Sequence, residues 1–201
     1  MPTPYPPAGV PPTADGTAQP VARRRTGCFT AEDLDGLWPD DVRDAQTRPE
    51  PPPSDEVVAE VEELLGYRLP DAYVELCRLH NGGGLRRGCF PVEEPTSWAE
   101  DHVAVSRIAP IGRTLEDSLA GESGSRFMTE EWGYPEIGVV FGACPSAGHD
   151  VIMLDCSEYG PGGEPRVAHV DQERDYRVTV LAPDIATFIG GLLPAEAFDA
   201  P

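Results

Sequence analysis

SDEVVAEVEELLGYRLPDAYVELCRLHNGGG, residues 54–84, is the stretch whose reading decides the fold. It predicts two helices joined by a hinge and closed by a glycine run. The Ser54 hydroxyl is placed to cap the first helix, and Asp55 and Glu56 suit the positive end of its dipole. Val57, Val58, Val61, Leu64 and Leu65 recur at helical spacing and predict one buried face. Gly66 follows, at the place where a left-handed residue usually ends a helix. Pro70 suits the first position of the second helix, whose buried side is read as Tyr73, Leu76, Cys77 and His80. Asn81-Gly82-Gly83-Gly84 stops it, because successive glycines make further helix expensive.

Upstream, residues 1–27 are rich in Pro, Ala, Gly and Thr and are read as a flexible tail. Residues 28–53 hold a short helical pattern, with Thr30 as cap and Phe29, Leu34, Leu37 and Trp38 as apolar contacts, and then the stiff spacer PEPPP. Downstream, strand patterns run over 89–92, 102–111, 138–142, 149–155, 166–170 and 177–181, separated by short turns that suit an antiparallel meander. Residues 115–136 read as irregular and acidic. Pro183 opens a last helix with Ile185, Phe188, Ile189 and Leu192 on one face, and 194–201 is a C-terminal tail. The order of helices, strands and helix predicts an α+β domain over 54–193: N-terminal helices, a mainly antiparallel sheet, and a C-terminal helix packed on it.

The organising stretch resembles the N-terminal signature of the SUKH superfamily, through Glu62, Leu65, Gly66, Leu69, Pro70, Tyr73, Leu76, Asn81, Gly82 and Gly83. That group contains the fungal cell-wall assembly regulator domain and many bacterial immunity proteins. GVVFGACPSAGHDVIMLD, ending on Asp155, resembles the family's later signature of strand, glycine-bearing turn and acid-terminated strand. The resemblance spans about residues 54–193 and implies a scaffold whose exposed surface binds a protein, with no catalytic residues to carry over.

The charge narrows the partners. There are 35 acidic residues against 15 basic ones, every one of them arginine, for a formal net charge of −20. Such a surface repels nucleic acid and anionic membrane and attracts basic partners. No apolar run is long enough to span a bilayer and no signal-peptide pattern opens the chain, so a cytoplasmic location is expected. The five cysteines show no CxxC spacing and suggest neither a disulfide framework nor a zinc ribbon.

For chemistry, His149 and His169 fall in or beside strands that could be neighbours, with Cys144 or Cys156 near them. A Cys-His nucleophile needs thiolate and imidazole at hydrogen-bond distance, which this spacing does not demand. The thiols and histidines therefore read as structural, with no catalytic residue, cofactor or metal expected. Residues 93–136 carry ten acids and three arginines, a net of −7. Glu130, Glu131, Trp132 and Tyr134 there, with Glu158 and Tyr159 in a later turn, are the candidate partner-binding residues, aromatic anchors among carboxylates.

The expectation is a non-enzymatic immunity-type module that binds and neutralises a toxin domain; a basic nuclease suits the charge best. A regulatory scaffold for signalling or cell-wall assembly partners is the alternative, and a Cys-His hydrolase the remote one. The sequence leaves the oligomeric state open.

Overall fold

The computed structural model describes residues 27–40 and 49–198. The tail predicted over 1–27, apart from Gly27, and residues 41–48 before the PEPPP spacer lie outside the described residues, as do 199–201. The architecture is α+β. Six antiparallel strands lie in the order β1-β4-β5-β6-β7-β8: Gly83–Gly84, Arg107–Ile108, Gly138–Ala143, Asp150–Asp155, Arg166–Asp171 and Arg177–Ala182. A two-stranded ribbon pairs β2, Cys89–Pro91, with β3, His102–Ala104.

Alternation along the strands divides the sheet into two faces. Phe141, Ile152, Leu154 and Val167 join the larger core. That core also takes Val58 and Val61 from α2, Asp55–Leu65, Tyr73 and Leu76 from α3, Asp71–Leu79, and Phe188 from α5, Ile185–Gly191. Val140, Val151, Met153 and Val170 face the other way, into a smaller cluster with Tyr134, Met128 and Trp132.

The predicted signals in 54–84 act largely as read. The Ser54 side chain accepts from Val57 N, and Gly66 ends α2 in the left-handed region at φ 75°. Pro70 is the residue before α3 rather than its first helical residue. Leu69 and Tyr73 are fully buried, and the Tyr73 hydroxyl donates to Ala109 O at 2.5 Å. His80 is only half-buried, because it caps α3 and stacks on Trp38 with ring centroids 4.1 Å apart.

Asn81 does more than end a helix. Its side chain is buried, with Oδ1 accepting from Ile111 N at 2.8 Å and Nδ2 donating to Pro51 O at 2.8 Å and Ile111 O at 3.1 Å. Its backbone carbonyl accepts from Glu50 N. Three segments distant in sequence therefore meet on one amide. Gly82 next to it has φ +76°, and a Cβ there would lie 2.5 Å from Pro110 N, so a side chain is excluded by both strain and space.

Three predicted elements differ. The strand read over 102–111 is two strands in two sheets: Val105 N still bonds Gly88 O beside β2, whereas Ser106 N bonds Ala143 O at the end of β5. The irregular 115–136 contains a short helix α4, Ser125–Glu130, held to the sheet where Ser125 Oγ accepts from Val140 N at 2.9 Å. The last helix starts at Ile185, with the Asp184 side chain rather than Pro183 at its cap.

Residues 27–40 also pack on the domain. α1, Ala31–Leu34, lies against α5; Leu37 is fully buried in the larger core, and Arg86 N bonds its carbonyl.

Two outcomes follow from this packing. Asn81→Ala leaves the Ile111 amide and two carbonyls without their partners and lowers unfolding free energy by about 3 kcal/mol, read from urea midpoints. A chain beginning at Pro52 loses at least the ~2–5 kcal/mol expected for emptying the Leu37 site. Wild-type stability in that shortened chain would instead support an autonomous domain from residue 54.

Candidate protein-binding surface

The Ser125 anchor fixes which side of α4 faces inward. Met128 packs into the smaller core, so Arg126, Glu130 and Glu131 remain exposed. Arg126 pairs with Glu130 at 2.6 Å one helical turn away, an exposed pair that adds little stability and leaves Glu131 unneutralised by it. Beside these acids lies Leu64, 46% exposed, in a shallow depression of about 310 Å³ that Glu122 also lines. Helical spacing alone places Leu64 on the buried face. The 58-61-65 stripe enters the core instead and leaves Leu64 on its flank.

Trp132 is half-buried. Its ring covers Gly148, where a Cβ would come within 2.9 Å of it, and meets the His149 ring edge-on at 6.5 Å. Its carbonyl accepts from the Tyr176 hydroxyl at 2.6 Å. Tyr134 is 2% exposed and donates to Gly148 O at 2.6 Å, so its ring supports the surface from beneath rather than forming part of it. Between α4 and the β5–β6 hairpin runs a cleft of about 720 Å³, lined on its apolar side by Phe127, Met128, Trp132, Val140 and Val151.

Glu158 and Tyr159 lie elsewhere. They occupy the turn after β6, beside the start of β5, whereas Trp132 packs at the β5–β6 turn, the other end of those strands. Tyr159 is 63% exposed. Glu158 accepts from Arg166 at 2.9 Å, and Arg166 also bonds the buried Asp155 at 2.8 Å. The six residues selected from sequence are thus one surface group at α4, one buried support, and a second group at the far end of the hairpin.

The histidines and thiols separate more sharply than their spacing suggests. His149 is exposed and bonds Glu173 at 2.6 Å. His169 is fully buried and bonds Asp150 at 2.7 Å. Cys144, Asp150 and His169 bring one ligand atom each within 4.8 Å of the others, a convergence missed by the sequence reading, which took the thiols and histidines as structural and expected no metal. A signal existed: His169 and Asp171 share the inward-facing alternation with Val167, where apolar residues are expected. As nucleophiles the thiols are poor. Burial pushes Cys77 up to about 12 and Cys156 up to about 11, and burial with the Asp150 charge drives Cys144 well above its ordinary value. At neutral pH less than about one such thiol in a thousand is ionised. Among the described residues, no helix is long and apolar enough to cross a membrane.

Asp155 gives a pH signature. Burial pushes its carboxyl up, but hydrogen bonds from Ser157 and Arg166 and the Arg166 charge outweigh it and hold the carboxyl below its usual 3.8. A depressed folded value contributes stability above the unfolded value and loses it as pH falls through the folded one. The stability gap between wild type and Asp155→Asn should therefore be widest above about pH 5 and shrink below about pH 3, read from urea midpoints across that range.

A search of curated proteins returns no match. The model of the SMI1/KNR4 family (SUKH-1) matches residues 52–191, from the spacer through α2, the whole six-stranded sheet and α5. That match covers well over half of the chain, and it begins two residues before the Ser54 cap and includes the Asn81 joint. The chain belongs to the SMI1/KNR4 family (SUKH-1).

Proposed function

We propose that this chain is a non-enzymatic, immunity-type module that binds a toxin domain and covers a basic surface on it. The observation that carries the reading is the α4 patch: exposed Glu122, Glu130 and Glu131 around the exposed Leu64, on a chain of net charge −20. An apolar contact rimmed by carboxylates suits a partner with apolar and cationic groups side by side, and the net charge speeds the encounter. Membership of SUKH-1 supports protein binding, and the family is generally non-catalytic. The buried thiols of Cys77, Cys144 and Cys156, held un-ionised, add to that side.

Glu130, Glu131 and Trp132 form the proposed primary contact, with Tyr134 holding Gly148 beneath the Trp132 ring. Glu158 and Tyr159 form a second contact at the other end of the hairpin. A cytoplasmic location suits neutralisation of a toxin inside the cell that makes or receives it. In a regulatory scaffold of signalling or cell-wall assembly, the same surface would hold its partner with little dependence on salt.

The test pairs this chain with the product of the neighbouring gene, co-expressed and purified. Glu130→Arg/Glu131→Arg should slow association and flatten its salt dependence, while Trp132→Ala or Tyr159→Ala should mainly speed dissociation. Glu158→Arg frees Arg166 from one partner and should have the smaller effect. Replacing the five cysteines, in a variant that stays folded, should leave protection intact. Turnover of a substrate by the wild-type protein, or loss of protection in the folded cysteine-free variant, would overturn the reading.

A further inference from the structure

Where the β5–β6 turn meets β7, the sheet buries an unusual set of polar groups. Cys144 follows β5, Asp150 opens β6, and His169 and Asp171 lie on β7. Asp150 is the direct cross-strand partner of Asp171, and His169 sits one alternation away on the same face. All four are no more than 5% exposed. Ser97 N donates to Asp171 Oδ2 at 3.0 Å, and Arg174 ties the 95–96 segment down through its two carbonyls, closing the approach from that side.

The hydrogen bonds within this set do not account for it. The Asp150–His169 contact uses one oxygen and one ring nitrogen. Asp150 Oδ1, His169 Nδ1 and Asp171 Oδ1 are buried without a hydrogen-bond partner; two further such atoms among the described residues, on Arg87 and Arg166, lie on guanidiniums. A buried polar atom left unpaired is costly, and this set holds three such atoms on three of its four residues, so its internal bonds leave a further partner to be found. Its chemistry follows from the donors. A thiol, an imidazole and a carboxylate, each offering one atom within 4.8 Å of the others, form a mixed sulfur, nitrogen and oxygen set. Sulfur with imidazole suits a borderline-soft ion and disfavours calcium or magnesium, which take oxygen cages.

We propose that Cys144, Asp150 and His169 bind a zinc ion, with Asp171 as the fourth ligand or the outer carboxylate that orients the site. At metal–ligand distances of about 2.0–2.3 Å, ligand atoms around tetrahedral zinc lie roughly 3.3–3.8 Å apart. The group therefore needs to contract by at most about 1–1.5 Å in its widest pair, and to open slightly where Asp150 and His169 now hydrogen-bond at 2.7 Å. Binding releases the Cys144 thiol proton and fixes the β5–β6 turn to β7. The role is structural: the three ligands are buried in the sheet, and the Asp171 carboxylate beside them fills or orients the fourth position. None of its four residues is exposed, and Cys144 and Asp150 line the inner wall of the cleft that Trp132 borders, so the site adjoins the proposed protein contact without forming part of it.

The test uses the full-length chain, stripped with a chelator under reducing conditions and then titrated with Zn²⁺ or Co²⁺. Expected are one equivalent of tightly held zinc, a raised melting temperature, and a sulfur-to-cobalt charge-transfer band with the intense visible bands of tetrahedral Co²⁺. Cys144→Ser and His169→Gln should each weaken zinc binding at least about 100-fold, while Cys156→Ser, outside the group, should not. If a replacement unfolds the chain, the wild-type cobalt spectrum decides alone, since Cys144 is the thiol among the described residues that lies in such a group. Absence of the charge-transfer band at millimolar Co²⁺, or zinc binding unchanged in folded Cys144→Ser, overturns the site. Zinc held only weakly, by the exposed acids, overturns it equally.

Discussion

The Asn81 amide is buried where the end of α3, the chain before α2 and the loop after β4 converge, and it satisfies backbone groups from two of those segments. Water cannot replace it there, so the turn must hold one geometry. Gly82 enforces the same geometry from the backbone, through positive φ and the close approach of Pro110. Once this joint is made, β1 is delivered to the sheet edge against β4 and α3 is laid across the larger core. The Glu50 carboxylate extends the joint by accepting from Leu115 N and the Ser118 hydroxyl, which positions the loop leading to α4. Helical layer, sheet and the acidic segment thus share one fixed point.

Much of this is legible in the residues. Helix signals are local: the Ser54 cap, the Gly66 terminator and the apolar stripe of α2 act within a turn or two of chain, and the structure follows them. The meander from β5 to β8 is legible for the same reason, since short turns leave antiparallel pairing as the available solution. What depends on distant partners is not. Asn81 reads as a helix stop because its bonds reach Pro51 and Ile111, thirty residues away on either side. The division of 102–111 depends on which neighbour the backbone meets at Val105 and Ser106, and α4 depends on the Ser125 anchor.

The candidate surface shows the same split. Exposure of Glu130 and Glu131 follows from charge, whereas the burial of Tyr134 is decided by the Gly148 carbonyl its hydroxyl meets. Leu64 belongs to the patch only because α2 turns its 58-61-65 stripe inward. A scaffold held by buried bonds and a small apolar core leaves the α4 flank free to carry charge without loss of fold.

The Asn81 joint couples helices, sheet and the 109–118 loop into one cooperative unit. Hydrogen exchange of wild type and Asn81→Ala, followed by mass spectrometry of peptides, tests that coupling directly. Protection is predicted to fall together in α2, α3, the 109–118 loop and β4, well beyond the few groups that Asn81 itself bonds. Loss of protection confined to 80–84, with those elements exchanging as in the wild type, would contradict it.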